Sequence, residues 1–382
     1  MRRSMCFVLF LVWLCCITVR SQPSFTTATG GFRGEFGVGS VPQGSAQIVA
    51  AAIWDATSGP RCGLFVHDVN GTVTATIDLA LSGRVFVQTF VPSSGGGGYL
   101  AGSVIPDGED EHDILLVRIN AANNVEWTST AHAPDDQQIF AVTELATGGV
   151  MATGVDNASG SHDVMTLRMD GGGNLIWSSV QGGPLDEEGL GIAADGLGAM
   201  ITGRQLNFGD ETDALLYRYD LSGNLEWQSG FGGIKDDLGH AIIERGDGTF
   251  VMAGATNSYG MLDHLLRRKR NIWLIGLESD GDTLWTRALG DTLMDREAFA
   301  LAETPTGDLL VVGERGLGRA TDALAIRTTS TGDTLWEQVY DTGDQDRLVH
   351  VRADPGGFRA SGRTFGSSAQ QVLFLRRDNL GQ

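Results

Sequence analysis

The sequence predicts an all-β protein, a seven-bladed β-propeller built from four-stranded antiparallel blades. Three observations predict this fold: a turn motif that recurs about every 50 residues, four strand patterns in each interval, and half a motif at each end of the chain. A fixed period of this length is typical of ring-shaped or stacked repeat architectures, and four short strands per interval fit a propeller blade. We therefore assign residues 22–382 to a single domain.

The recurring motif is an acidic residue, two spacers, Gly, a polar residue, and Trp four positions after the Gly. The clearest copies run over residues 170–177 and 220–227, ending at Trp177 and Trp227. Weaker copies end at Trp127, Trp285 and Trp336, and a degenerate copy has Ala75 at the Trp position. Alternating strands with Gly, Asp or Asn turns flank each copy, which indicates antiparallel hairpins.

The two ends of the chain share one copy of the motif. Residues 372–378 form a seventh copy of the strand before the turn, and the chain stops at Gln382 within the motif. Phe25 and the following Gly30-Gly31 match the Trp strand and Gly-Gly turn of the other copies. We therefore expect the N-terminal strand to become the outer strand of the last blade. Such a closure removes exposed sheet edges.

The turn resembles the tryptophan-docking repeat of quinoprotein-like (PQQ-like) propellers. It is more similar still to the Gly-Asn-x-x-Trp and Gly-Gly repeats of secreted bacterial propellers, and the similarity covers nearly all of residues 22–382. The resemblance implies that the aromatic residue of each copy packs between blades, where a large ring buries much apolar area. These structural aromatics are Phe25, Trp127, Trp177, Trp227, Trp285 and Trp336.

Residues 1–21 have the pattern of a secretory signal peptide. Arg2 and Arg3 precede an apolar run over residues 7–17, and small residues follow up to Ser21. The run is too short to span a membrane comfortably. We predict cleavage after Ser21 and export to the periplasm, the cell surface or the medium, with no membrane insertion afterwards.

Charge and cysteine content limit the partners of this protein. The formal charge is −20, and residues 1–21 contribute three Arg and no acid, so the remainder carries −23. Such an acidic surface repels nucleic acid and anionic membranes, both of which bind cationic patches. Cys62 is the one cysteine beyond residue 21, so no internal disulfide forms. We predict a monomer that requires no cofactor.

A carboxylate recurs near one position of the repeat, nine to ten residues after the aromatic residue. It precedes the strand expected to be innermost, so the carboxylates should gather near one mouth of the central channel. Convergent carboxylates suit Ca²⁺ or a cationic ligand. A structural interpretation is also open, in which each acid caps a turn or pairs with the recurring Arg before the Gly turn. The residues are Glu35, Asp136, Asp186, Glu187, Asp236, Asp237, Asp295 and Asp346.

An insertion over residues 259–270 lengthens one interval to 58 residues and carries a dense basic run. The run comprises Arg267, Arg268, Lys269 and Arg270. Three interpretations are open: a lid over the acidic mouth, a partner-docking or protease-sensitive loop, and a tolerated surface insertion.

These features favour a secreted, non-catalytic binding or interaction module with its ligand site at the channel mouth. Its ligand would be a protein, a glycan or a cation. One alternative is an extracellular lyase or hydrolase that uses channel-mouth carboxylates; another is a structural component of the envelope or matrix. A polar cluster of Arg, His, Tyr and acid that departs from the repeat and converges on one pocket would favour the enzyme, whereas a mouth that obeys the repeat would exclude it.

Overall fold

The structure, a computed structural model, describes residues 24–29, 35–43, 46–55, 59–131, 135–158, 160–209, 211–265, 267–318, 320–342, 345–365 and 370–382. The predicted signal peptide lies outside these residues. The described chain forms 28 strands in seven four-stranded antiparallel sheets, the blades of a β-propeller. No helix in this part of the chain is long and apolar enough to cross a membrane.

The blades follow one another along the chain, and each begins with its inner strand. Blade 1 holds β2 (Glu35–Gln43), β3 (Ala46–Asp55), β4 (Gly59–His67) and β5 (Val73–Asp78). Blade 2 holds β6 (Arg84–Pro92), β7 (Gly98–Ile105), β8 (Asp113–Ile119) and β9 (Val125–Ala131). Blade 3 holds β10 (Gln137–Glu144), β11 (Val150–Asp156), β12 (Asp163–Met169) and β13 (Leu175–Gln181). Blade 4 holds β14 (Glu187–Ala194), β15 (Gly198–Leu206), β16 (Thr212–Asp220) and β17 (Leu225–Phe231).

The remaining blades complete the ring. Blade 5 holds β18 (Asp237–Glu244), β19 (Phe250–Thr256), β20 (Asn271–Leu277) and β21 (Thr283–Leu289). Blade 6 holds β22 (Asp295–Glu303), β23 (Leu309–Leu317), β24 (Ala320–Thr328) and β25 (Thr334–Tyr340). Blade 7 holds β26 (Asp346–Asp354), β27 (Gly357–Phe365) and β28 (Gln370–Asp378), with β1 (Phe25–Thr29) as its fourth strand.

The N-terminal strand β1 lies at the outer edge of blade 7, antiparallel to β28. Phe25 stands opposite Arg376 in this pairing. The same register sets Trp177 opposite Arg168 in blade 3 and Trp227 opposite Arg218 in blade 4. The backbone of Phe25 therefore occupies the Trp position of the repeat; its side chain lies outside the described residues.

Five of the turn motifs, those of blades 3 to 7, each form a socket for the tryptophan of the preceding blade. Asp220 Oδ1 accepts the backbone N–H groups of Ser222 and Asn224, both at 2.8 Å, and so fixes the turn. Gly223 has φ of +91°, and a Cβ on it would lie 2.8 Å from the Trp177 ring. Only glycine can adopt this positive φ and leave room for the Trp177 ring without strain. The other pairs are Trp127 with Gly173, Trp227 with Gly281, Trp285 with Gly332, and Trp336 with Gly381.

The apolar core is divided among the interfaces between blades. The buried cluster around Leu100 and Leu115 joins blades 1 and 2, and the cluster around Phe65 and Phe374 joins blade 1 to blade 7. Each blade thus buries its faces against its two neighbours, as expected for a repeat ring whose one described cysteine, Cys62, is free.

Every inner strand carries a β-bulge at the same place. The pairing with the second strand skips one residue there, for example Leu190 between Gly189 and Gly191. A bulge leaves its extra residue outside the ladder and turns it away from the sheet. Residues at these bulges line the central opening of the propeller. The seven skipped residues, here called the bulge ring, are Val38, Gln88, Phe140, Leu190, His240, Phe299 and Val349.

Candidate ligand site at the channel mouth

Four of the sequence-predicted carboxylates cap turns between blades. Each accepts the N–H of a residue at the start of the third strand of the preceding blade, at 2.8 to 3.1 Å. The pairs are Asp136 with His112, Asp186 with His162, Asp236 with Thr212, and Asp295 with Arg270. These aspartates therefore tie neighbouring blades together at the mouth face of the propeller, where the inner strands begin.

Three further carboxylates hold the turn that leads into the inner strand. Glu187 accepts the N–H of Gly183 at 3.1 Å, and Asp237 accepts that of Gly233 at 2.8 Å. Asp346 accepts the N–H of Thr342 and is fully buried, as is Asp237. The side chain of Glu35, at the same position in blade 1, lies outside the described residues.

The recurring arginines do not pair with these acids, because they lie at the opposite face of the ring. Arg218, for example, pairs with Asp195 at 2.8 Å, in the turn between the first two strands of blade 4. Two structural roles were predicted for the carboxylates, capping of turns and pairing with the recurring arginines. The described contacts match the first role.

Among the described residues, no three His, Cys, Asp or Glu side chains are grouped so as to hold a metal ion. Ca²⁺ binding by the repeated carboxylates stays a prediction from sequence. Against that prediction, we expect the melting temperature of the purified protein to be the same in calcium and in chelator, since each of the seven described carboxylates already accepts a backbone N–H group. Saturation at 100 times Kd would add about 2.7 kcal/mol. A calcium-specific rise that magnesium does not reproduce would contradict this expectation.

The residue two positions before each bulge-ring residue, with its partner on the second strand, sets the polarity of the mouth. In blades 2, 3 and 5 this register pair is neutral, as in Leu238 opposite Ala255. In blades 4, 6 and 7 it is charged on both strands, which breaks the repeat. The charged pairs are Glu188 with Arg204, Glu297 with Glu314, and Arg347 with Arg363.

Glu297 is the centre of the charged half of the mouth. Its Oε1 lies 2.5 Å from His240 Nε2, and its Oε2 accepts Arg270 Nη1 at 2.8 Å. Burial favours the protonated carboxyl, but the hydrogen bonds and charges of His240 and Arg270 outweigh it and lower the pKa of Glu297 to about 2. Glu297 on blade 6 is thus an ionised acceptor held by two side chains of blade 5.

Glu188 is a second buried acceptor. It receives Arg204 in bidentate geometry, at 2.9 and 2.6 Å, and lies 3.0 Å from His162 Nδ1. Burial acts against its ionised form, yet the hydrogen bonds and charges from Arg204 and His162 give a net lowering of its pKa. A bidentate guanidinium also fixes the plane of the carboxylate.

The third group links blades 6 and 7. Arg347 donates to both oxygens of Glu314 at 2.7 Å, while its guanidinium lies 4.2 Å from the centroid of the Phe299 ring. His240 contacts the same ring from blade 5, with centroids 5.0 Å apart. Like charges opposite each other destabilise a sheet. The ion pairs of Arg270 with Glu297 and of Arg347 with Glu314 join neighbouring blades. They offset the repulsion within the Glu297–Glu314 and Arg347–Arg363 pairs.

The insertion at residues 259–270 forms a small hairpin beside these groups, with an isolated bridge between Leu262 and Arg268. Asp263 accepts the N–H groups of Leu265 and Arg267 and pairs with the Arg267 side chain at 2.9 Å. Arg268 donates to the Gly260 carbonyl and has no carboxylate within 4 Å in the described chain. Arg267 therefore stabilises the turn of the hairpin, while Arg268 and Arg270 line a cavity at the mouth.

Three cavities join these side chains into one site. The hairpin cavity, of about 380 Å³, lies between the hairpin and blade 6 and is lined by Arg268, Arg270, Glu297 and Glu314. The mouth cavity, of about 450 Å³, shares Arg270 and Glu297 with it and extends to Glu188 and Arg204. The axial channel, of about 430 Å³, runs through the bulge ring and shares Leu190 and His240 with the mouth cavity.

The sequence analysis did not single out the charged pairs or the bulge ring. One signal was available: two positions after the aligned Asp136, Asp186, Asp236 and Asp295 stand Gln138, Glu188, Leu238 and Glu297, which do not share one residue type. These residues do not recur, so repeated positions alone do not reveal them.

Comparisons with known proteins agree with the propeller class and define nothing narrower. No protein-family model matches the chain, and no curated protein does. It is similar to Sqt1 from Chaetomium thermophilum, at 13% identity and TM-score 0.51 over 89% of this chain and 84% of that one. It is also similar to the periplasmic gluconolactonase of Pseudomonas aeruginosa, at 12% identity and TM-score 0.55 over 92% and 94% of the two chains.

A third similar structure is puromycin hydrolase in complex with PGG, at 14% identity and TM-score 0.54. This chain aligns over 92% of its own length but spans only 53% of that protein. At these identities the likeness shows the fold alone. The chain is a seven-bladed β-propeller.

Proposed function

We propose that this protein is an exported, non-catalytic binding module that holds a hydroxyl-rich ligand, a glycan, at the channel mouth over blades 4 to 7. The observation that carries the proposal is the charged cluster centred on Glu297 and Arg270, which departs from the repeat and opens into two polar cavities. Function in a repeat scaffold is expected where the repeat is broken, since the scaffold itself requires only the shared residues.

The balance of groups in the cluster supports a neutral polar ligand. Acceptors such as Glu188 and Glu297 alternate with donors such as Arg204 and Arg270, and each is held in an ion pair. Sugar hydroxyls donate and accept at once, so a rigid set of both kinds of groups suits them. A fixed site also loses little conformational entropy on binding.

The protonation of the cluster supports binding rather than catalysis. A general acid acting near neutral pH needs a raised pKa. The hydrogen bonds of Glu188 and Glu297 instead give both carboxyls a lowered pKa. The alternative of an extracellular lyase or hydrolase stays open, because the cluster does not follow the repeat. The resemblance to tryptophan-docking secreted propellers and the export of the chain also remain proposals.

The test is isothermal titration of the protein with a panel of methyl glycosides and short oligosaccharides. We expect at least one to bind, and Arg270→Ala to weaken that binding about 10- to 100-fold, because a hydrogen bond from a charged donor contributes about 1.5 to 3 kcal/mol. The matched control is Arg287→Ala, which removes an arginine of the same blade paired with Asp333 away from the mouth.

Two results would overturn the proposal. One is a panel without any binding ligand, or binding that is indifferent to Arg270→Ala. The other is cleavage of the bound oligosaccharide during titration, seen by chromatography of the products, which would support the enzyme alternative.

A further inference from the structure

The axial channel differs in chemistry from the mouth above it. Its bulge ring contributes Phe140, Leu190, Phe299 and two valines, and neighbouring strand residues such as Ile192 and Ile242 add to the apolar lining. An apolar cavity of this size suits a small apolar group, which gains free energy in proportion to the area it removes from water.

The channel and the polar site are continuous. Leu190 and His240 line both the axial channel and the mouth cavity, so the apolar and polar walls meet at His240. A molecule bound against Arg270 and Glu297 can therefore extend along Leu190 into the channel. The continuous cavity therefore suits one ligand with two parts, a hydrogen-bonding head and an apolar tail.

We propose that the site takes a single-chain amphiphile, with its uncharged polar head among Arg270, Glu297 and His240 and its alkyl tail in the axial channel. This inference rests on the proposed binding of a hydroxyl-rich head at the mouth. The head and tail correspond to an alkyl glycoside or a glycolipid fragment with one chain.

Two further observations support an amphiphile. First, His350 lines the channel, and its Nδ1 is shielded from solvent with no hydrogen-bond partner in the described chain. Burial, followed by the charge of Arg352, lowers the pKa of His350 to about 4, so the imidazole is neutral at pH 7. The channel therefore presents no charge there that would exclude an apolar tail.

Second, the loops beside the mouth carry exposed apolar side chains. These apolar rim residues lie on mouth-face loops of blades 4 to 6, and Phe208 is 89% exposed. Apolar side chains on this face can contact the apolar part of a ligand before it enters the channel. The apolar rim comprises Phe208, Ile234, Met261, Leu262, Leu265, Leu293 and Leu317.

The experiment is titration calorimetry with methyl, butyl, hexyl and octyl β-glucoside, each below its critical micelle concentration. We expect each added methylene to raise affinity about 3- to 4-fold until the channel is filled. Gln88→Trp fills the channel from an exposed member of the bulge ring and should abolish the gain from chain length while sparing the head. Leu197→Trp alters an exposed apolar residue at the opposite face and should change nothing.

The outcomes separate this inference from the function on which it rests. Equal affinity for methyl and octyl glucoside, or no binding of any member of the series, overturns the inference. A second result also overturns it: affinity still rises with chain length in Gln88→Trp, but no longer rises when Phe208 and Ile234 are both replaced by Ser. That result would place the tail on the apolar rim instead of in the channel. If chain length matters but Arg270→Ala does not, the tail binds without the mouth, and the proposed function fails instead.

Discussion

Deleting residues 23–32 is expected to lower the melting temperature sharply, because it removes β1 from the outer edge of blade 7. All five residues of β1 pair with β28 between Val372 and Arg376. Their removal exposes one edge of β28 and opens the ring at blade 7, which is assembled from both ends of the described chain. A loss of about 4 kcal/mol corresponds to a fall of roughly 5 °C, at an unfolding entropy of about 2.1 cal/mol/K per residue. Differential scanning calorimetry measures it.

A synthetic peptide of residues 23–32 provides the control for this deletion. Added in excess to the truncated protein, the peptide should restore most of the lost melting temperature by occupying the vacant edge of β28. An unchanged melt after the deletion would show that the six complete blades and the three strands of blade 7 are stable without closure.

Trp177→Ala should destabilise the protein by about 3 kcal/mol, within the range for large aromatic truncations in cores. The indole lies against Gly223 of the next blade and donates from Nε1 to the Leu221 carbonyl at 3.0 Å. It also stacks on Tyr219, with ring centroids 6.0 Å apart and an angle of 23° between planes. Urea unfolding monitored by circular dichroism gives the free energy of unfolding.

Two substitutions separate the contributions of this side chain. Trp177→Phe keeps a ring against Gly223 and loses the hydrogen bond to Leu221, so its cost should be near 1 kcal/mol. Leu175→Ala changes a half-exposed residue of the same strand and should cost little. If Trp177→Ala were no more destabilising than Leu175→Ala, the docking of tryptophan on the next turn would contribute little to stability. The blade interface would then depend on other contacts.

The fold could be predicted from the sequence because its determinants are local and repeated. The turn around Asp220 is fixed by hydrogen bonds to residues two and four positions away, and Gly223 marks the single position with positive φ in that turn. Once these turns are aligned, the number of blades follows. The all-β class and the seven blades are confirmed by the structure. The signal peptide and monomeric state stay predictions.

The candidate site could be predicted only in part. The mouth and the basic insertion were singled out, but the interacting partners are far apart in sequence: His240 and Glu297 are 57 residues apart, and Glu314 and Arg347 are 33 apart. Such pairs form only when the curvature of the ring brings neighbouring inner strands together. The repeated carboxylates suggest a calcium site, although each of the seven described ones accepts a backbone N–H group, a contact that no side-chain pattern reveals.

The bulge ring has a consequence for how this protein can change over evolution. Leu190 and its six counterparts stand outside the hydrogen-bonded ladder, so replacing one of them disturbs no pairing between strands. The docked tryptophans and turn glycines, by contrast, tolerate little change. Selection can therefore alter the width, polarity and charge of the axis one blade at a time while the scaffold stays intact. The seven residues found there, from Gln88 to His240, are of five types and do not follow the repeat.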